Sequence, residues 1–277
     1  MKYVDDMTAA QAFKMKTDLE VDPNRKWPKP AMKRERFEKI LPNAKNHAQE
    51  LLNQLSSYAE ENQMKLNKDK TKVMLFNTAK QNDFLPEIVV EGQHLEVVEQ
   101  FKLLGVIITS DLKWEANTDY ITKKAYKRLW MLRRLKNLGL KTDSLVKIYT
   151  SQIRSVLEYG SVTWHAMLTK NESKSIERVQ KSALAIILGQ KYKCYESALS
   201  VLYLQRLADR RVSMSAAFAA KSAKHPLHSS WFCKSDTNKQ VNTRSEKLTY
   251  KPVIARTQRL LNSAIPFMTE QLNVKPN

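Results

Sequence analysis

Two adjacent carboxylates, Asp5 and Asp6, follow the strand-forming pair Tyr3-Val4 and precede another short β-prone run, Met7-Thr8. This pattern predicts the turn of a β-hairpin. Side chains alternate along a strand, but at a tight turn both carboxylates can project from one end, where a divalent cation can sit. Magnesium takes hard oxygen ligands, one or two carboxylates together with substrate phosphates, so such a turn suits nucleotidyl transfer. A second chemical signal is cationic. Lys123, Lys124, Lys127, Arg128, Arg133 and Arg134 crowd one segment, and no acid falls between Tyr120 and Lys141. A solvated helix ordinarily mixes its signs, so an all-positive face points to phosphate contact.

Composition narrows the partner classes. The 47 Lys and Arg against 28 Asp and Glu leave +19 over 277 residues, the mark of a protein that meets a polyanion. Nucleic acid is the first candidate. No apolar run approaches the roughly 20 residues of a membrane span, and no signal-peptide core follows Met1, so the expectation is an intracellular protein, not secreted and without a membrane partner. Cys194 and Cys233 are the only cysteines and are expected as free thiols. Five glycines, with neither a Walker loop nor a dinucleotide fingerprint, argue against nucleotide folds of those types. His225, His228 and Cys233 lack the fourth ligand and paired cysteines of a zinc site.

The elements that must position these residues fall into three stretches. Pro23, Pro28, Pro30 and Pro42 predict mostly loop from Lys14 to Pro42, with at most a helical turn at the basic run Lys33 to Lys39. From Asn43, read as an N-cap, Ala44, Ala48, Leu51, Leu52, Leu55, Tyr58 and Ala59 predict an amphipathic helix over 44–62. It is expected to lie on an antiparallel sheet made of Lys72 to Asn77, a hairpin of Ile88 to Glu91 and His94 to Val98 around Gly92, and one strand from Phe101 to Thr109. From Glu115 the pattern turns helical: Ile121, Ala125, Leu129, Leu132 and Leu135 up to Gly139; a helix capped by Thr142 carrying Leu145, Ile148, Tyr149, Ile153, Val156 and Leu157; a third carrying Ile176, Val179, Ala183, Leu184, Ile187 and Leu188 up to Gly189; and one more suggested by Leu204, Leu207, Met214 and Phe218. The fold class expected is α+β followed by an all-α bundle, with domains at 1–114 and 115–224 and a polar linker and tail at 225–277 containing a short helix around Thr257 to Asn262.

Tyr3-Val4-Asp5-Asp6 resembles the third polymerase motif of reverse transcriptases, and colinear segments resemble the region downstream of that motif in the LINE-type, non-LTR retrotransposon enzymes. Lys65-Leu66-Asn67-Lys68-Asp69-Lys70-Thr71-Lys72-Val73-Met74-Leu75-Phe76 is similar to their fourth motif and Phe101-Lys102-Leu103-Leu104-Gly105-Val106 to the fifth, the primer grip. Further likeness runs through Leu112-Lys113-Trp114, Ile153 to Gly160, Ile176 to Lys181, Ala255-Arg256-Thr257 and Ser263 to Pro266. The resemblance implies an RNA-directed DNA polymerase, with an RNA template and a DNA primer as partners and magnesium or manganese as cofactor. It implies a partial polymerase palm followed by a helical thumb or connector. It places Asp5 and Asp6 as metal ligands, Asp5 the principal one, and Tyr3, Val4, Leu104 and Gly105 near the primer and nucleotide. It also implies Lys70 as general acid for pyrophosphate departure, with Lys68 and Lys72 competing for that role. The family's upstream fingers and first catalytic Asp motif have no counterpart here, so the chain alone is expected to be inactive and to depend on an upstream polymerase fragment. The alternatives are a non-catalytic nucleic-acid-binding protein and a helical interaction module.

Overall fold

The computed structural model describes residues 2–3, 30–67, 69–76, 87–235, 249–254 and 257–274; for 2–3, 30–44 and Lys65 it gives the backbone path alone. The chain divides into two compact units, Met1–Leu112 and Lys113–Asn277. Alpha and beta elements are mixed, with helices dominating and the sheets small. No helix among the described residues is long and apolar enough to cross a membrane.

The first unit holds β1 (Lys2–Tyr3), α1 (Pro30–Glu61), β2 (Met64–Lys65), β3 (Lys72–Val73), β4 (Val89–Val90), β5 (Gln93–His94), β6 (Glu96–Val97), β7 (Gln100–Leu103) and β8 (Val106–Thr109). Helix α1 begins at Pro30, not at an Asn43 cap, and runs through Pro42, which corrects the loop expected there. Proline is well placed at a first helical position, where its missing N–H has no intrahelical partner. Beyond it, Ala31-Met32-Lys33-Arg34-Glu35-Arg36 are mostly strong helix formers, so the helix starts two turns or more before the hydrophobic periodicity does.

The antiparallel sheet is replaced by four two-stranded pairs. Two are parallel, β1 with β2 and β3 with β6, and two are hairpins, β4–β5 and β7–β8. Phe101 to Thr109 is thus not one strand but a hairpin folded at Leu104-Gly105. Both turns have two central residues at positive φ, Glu91 (44°) with Gly92 (78°) and Leu104 (46°) with Gly105 (86°), as a type I′ turn requires. The β3–β6 pair is held in register by Lys72 opposite Glu96, whose side chains form a cross-strand ion pair. Ile88, Val90 and Leu95 form the core under Ala48 and Leu52 of α1. Gln49 fixes the helix to β4: its Nε2 donates to the Val89 carbonyl (2.7 Å) and its Oε1 accepts from the Val89 N–H (2.9 Å).

The second unit is a helical bundle: α2 (Glu115–Asn137), α3 (Thr142–Ile148), a π-helical turn Tyr149–Arg154, α4 (Ser155–Glu158), α5 (Ser161–Trp164), α6 (Lys170–Leu188), α7 (Tyr195–Val201), α8 (Leu207–Ser222), α9 (Gln258–Leu261) and α10 (Ala264–Asn273). Helices α2 and α6 make its most extensive contact, through Ile121, Ala125, Leu129 and Leu132 on one side and Ile176, Val179, Ala183, Leu184 and Ile187 on the other, all buried. Helix α2 ends in a Schellman arrangement: the Gly139 N–H donates to Lys136 O (3.0 Å) and the Leu140 N–H to Leu135 O (3.3 Å), with Gly139 at φ +83°. The N-cap of α3 is Lys141, Thr142 being already helical. Helix α6 opens on a capping box of Thr169 and Glu172.

Helix α8 buries Leu207, Arg211, Ser215, Ala219 and Ser222, so the stripe expected from Met214 and Phe218 is not its inner face. Those two larger side chains stay partly exposed while small and polar residues allow close packing. The segment 225–235 and helix α10, expected as linker and tail, belong to the bundle: Phe232 and Met268 are buried with Ala219. The apolar residues there are too few and too widely spaced in sequence to show periodicity.

Candidate nucleic-acid interface

The proposed catalytic carboxylates Asp5 and Asp6, with Val4, lie outside the described residues. The backbone of Tyr3 is described: it sits in β1, with Cα partner Lys65 across the parallel pair with β2. The segments resembling the third and fourth polymerase motifs therefore start side by side. Lys70 lies in the turn that leaves β2, exposed, its N–H donating to Asn67 O (3.2 Å) and Asn67 Oδ1 (3.1 Å). Leu104 and Gly105 form the tip of the β7–β8 hairpin, with the Leu104 side chain 66% exposed. Among the described residues no group of three His, Cys, Asp or Glu could hold a metal ion. His225 and His228 stack on each other (4.7 Å), and His228 on Trp231 (4.5 Å).

The basic residues of α2 are better defined. Positions 118, 121, 125, 129 and 132 are buried. With 3.6 residues per turn, this puts 123, 127, 130 and 134 on the opposite side of the helix. Lys123, Lys124, Lys127, Arg133 and Arg134 are all exposed. Lys123 approaches Asp119 (3.9 Å) and the Lys124 ammonium lies over the Tyr120 ring (5.8 Å to its centroid). Both contacts are on the surface, where such pairs contribute little and yield readily to a stronger polyanion. Lys127, Arg133 and Arg134 have no ion pair among the described residues. Arg128 is different. Half-buried, it donates to the carbonyl of Gln152 in the π-helical turn, so the fold itself uses this guanidinium. Lys136 likewise donates to Ile187 O (2.8 Å) at the end of α6.

The family-like segments of this unit organise the bundle. In Ile176 to Lys181, Ile176 and Val179 are core; Gln180 donates to Gln205 O (3.0 Å); Glu177 accepts from the Ala208 N–H (2.6 Å), capping the first turn of α8, and from the Tyr195 hydroxyl. Burial and that hydrogen bond to a carboxylate push the Tyr195 phenol well above its ordinary value. In Ile153 to Gly160, Ile153 and Leu157 are core, and the buried Glu158 carboxylate takes a two-point contact from Arg210 (2.5 and 3.1 Å) with Arg154 at 3.7 Å. Burial also raises the neighbouring Tyr149 phenol. A further buried guanidinium, Arg211, donates to His165 Nδ1 (3.3 Å) and Ser173 Oγ (3.1 Å). Burial and that guanidinium hold the His165 imidazole down at about 4.

Hydrophobic periodicity does not single out Glu158, Glu177, Gln180, Arg210 or Arg211. For the pair of Glu158 and Arg210 a weak signal is present in the sequence, an acid beside one apolar stripe and an arginine beside another.

Between α6, α7 and α8 lies a cavity of about 300 Å³ lined by Lys174, Arg178, Lys181, Tyr195, Glu196 and Arg206, among others. Arg206 pairs with Glu196 (2.9 Å), and the Lys181 ammonium lies over the Tyr195 ring (4.9 Å). Comparison of the chain with protein-family models, with curated proteins and with solved structures finds no match.

Proposed function

We propose that this chain carries the palm and thumb part of an RNA-directed DNA polymerase of the non-LTR retrotransposon type, and that its helical unit holds RNA template and DNA primer through α2. The observation that carries this reading is the outward face of α2. Five exposed cations share a helix with no acid between Tyr120 and Lys141, while the opposite side of that helix is committed to the core. The colinear motifs and the pairing of Tyr3 with Lys65 support the family half of the reading. In it Asp5 and Asp6 would hold magnesium or manganese, ions that supply charge stabilisation for phosphoryl transfer. Lys70, exposed beside β2, is assigned the general-acid role, and Leu104 and Gly105 the contact with the primer.

The second unit is compact by itself and bears the whole cationic face, which favours as a second reading a nucleic-acid binder without chemistry. Both readings share one binding test, anisotropy of a labelled primer-template between low and moderate salt, and separate in primer extension. Each phosphate neutralised contributes about −0.9 to the log-log salt slope on B-form DNA, so four contacts give roughly −3.6. Replacing Lys123, Lys127, Arg133 and Arg134 by Gln should flatten that slope and weaken all sequences alike, since phosphate contacts position without specifying. Arg128 is left intact because its loss would disturb the π-helical turn. An unaltered slope in the quadruple variant refutes the α2 interface. Magnesium-dependent primer extension that Asp5→Asn abolishes, in the chain or in its mixture with an upstream polymerase fragment, favours the polymerase over the silent binder.

A further inference from the structure

At the centre of the cationic face stands an indole. Trp130 is 68% exposed, and Tyr126, one turn before it, is 44% exposed. Trp130 lies between Lys127 and Arg134 on the side of α2 opposite the buried positions. The other described tryptophans of this unit are placed differently: Trp114 and Trp164 are buried, and Trp231 stacks on His228. Trp130 alone among them has neither a ring contact nor a hydrogen bond. Phe, Tyr and Trp bury large areas and dominate interface energetics, so an indole left in water forgoes a large favourable contribution.

We propose that Trp130, with Tyr126, is a base-stacking platform, through which the helical unit takes unpaired nucleotides of a single strand whose phosphates the flanking cations hold. The inference rests on the nucleic-acid reading above and sharpens its ligand from phosphate backbone to exposed bases. The argument is complementarity of two kinds in one patch. A single strand offers a line of negative charge and, beside it, unstacked π-faces, and proteins that bind it combine a cationic track with aromatic side chains. Tyr126 and Trp130 are separated by about 6 Å along the helix axis, four residues at 1.5 Å each, close to two base steps of 3.4 Å. A duplex hides its base faces within the stack and could use only the cations. A membrane-surface helix keeps its aromatic residues opposite its charges, whereas here the side opposite the charges is core and the indole sits among the cations.

The test compares a fluorescein-labelled 20-nucleotide oligothymidylate with a blunt DNA duplex, at one low salt concentration and across a salt series, on the full chain and on Trp130→Leu and Trp130→Phe. Stacking lost from one base weakens binding roughly 5- to 140-fold. Trp130→Leu should therefore weaken the single strand within that range, leave the duplex within about twofold and leave the salt slope of both unchanged, since no cation is removed. Trp130→Phe should restore most of the affinity. The single strand should quench indole fluorescence in the parent chain, and most of that quench should vanish in Trp130→Leu. If neither probe binds, the platform and the nucleic-acid reading fall together. If both bind with a steep salt slope and Trp130→Leu alters neither, the platform alone is overturned. Vesicles containing phosphatidylserine form the last arm: loss of vesicle binding in Trp130→Leu, with the single strand unaffected, overturns the proposal in favour of a membrane surface.

Discussion

The histidine held out of its ordinary range makes the fold of the helical unit sensitive to acid in a calculable way. His165 Nδ1 accepts from the buried Arg211 guanidinium at 3.3 Å, and the ring meets Phe267 of α10 edge-on at 5.5 Å. Protonation would set an imidazolium against that guanidinium in a partly desolvated site, so the folded pKa drops from 6.5 to about 4. Between those values the unfolded chain binds the proton and the folded chain does not. Stability therefore rises with pH across that window and is lost as pH falls from about 6.5 towards 4. The difference of 2.5 pH units corresponds to about 3.4 kcal/mol at 1.36 kcal/mol each, and solvent screening of a ring that is only half-buried lowers this to roughly 2 kcal/mol. His165→Gln retains an acceptor for Arg211 and cannot titrate. Urea unfolding followed by near-UV circular dichroism at pH 7.5 and pH 4.5 is the assay; Trp114 and Trp164, both buried in this unit, report on its packing. The parent should lose about 2 kcal/mol more than His165→Gln between the two conditions, the carboxylates common to both cancelling. Equal losses refute the coupling of His165 to Arg211.

Glu158→Gln should destabilise the helical unit by about 2–4 kcal/mol in urea unfolding at neutral pH, because it leaves Arg210 and Arg154 facing a neutral amide in a site where the carboxylate is buried. Gly139→Ala should cost about 1 kcal/mol by the same measurement: no atom lies within 4 Å of the added methyl, so the whole effect is the strain of φ +83°. On the proposed reading Asp5 and Asp6 would serve the metal, so Asp5→Asn with Asp6→Asn should leave magnesium-free binding of a primer-template unchanged in anisotropy. On the proposed polymerase reading, the 277-residue chain by itself should extend no primer with magnesium or manganese, because holding two cations for phosphoryl transfer would need a carboxylate besides Asp5 and Asp6.

The helices were legible where apolar residues recur at 3.6-residue spacing. Ile121, Ala125, Leu129 and Leu132 of α2 and the stripe of α6 are buried as the pattern predicts, and Gly139 and Gly189 close both helices. Periodicity failed where burial is not apolar: beside Leu207 and Ala219, the inner face of α8 is built on Arg211, Ser215 and Ser222, which carry no apolar signal. It failed again at α1, where Pro30 and Pro42 read as breakers although the first opens the helix and the second lies within it. The hairpin at Leu104-Gly105 was hidden because a leucine rarely takes a positive φ, and a continuous apolar run does not show its own turn. Of the interface, the cations were legible as charge; that Arg128 belongs to the fold and Trp130 to the surface depends on which helical face the bundle buries.

The most direct measurement of the central claim is a lysine-acetylation footprint of the full chain with and without primer-template, read by mass spectrometry. Lys123, Lys124 and Lys127 should be protected on binding, while Lys221 and Lys224, also exposed, at and just beyond the C-terminal end of α8, keep their reactivity. Protection of Lys221 and Lys224 with Lys123, Lys124 and Lys127 unchanged would contradict the account.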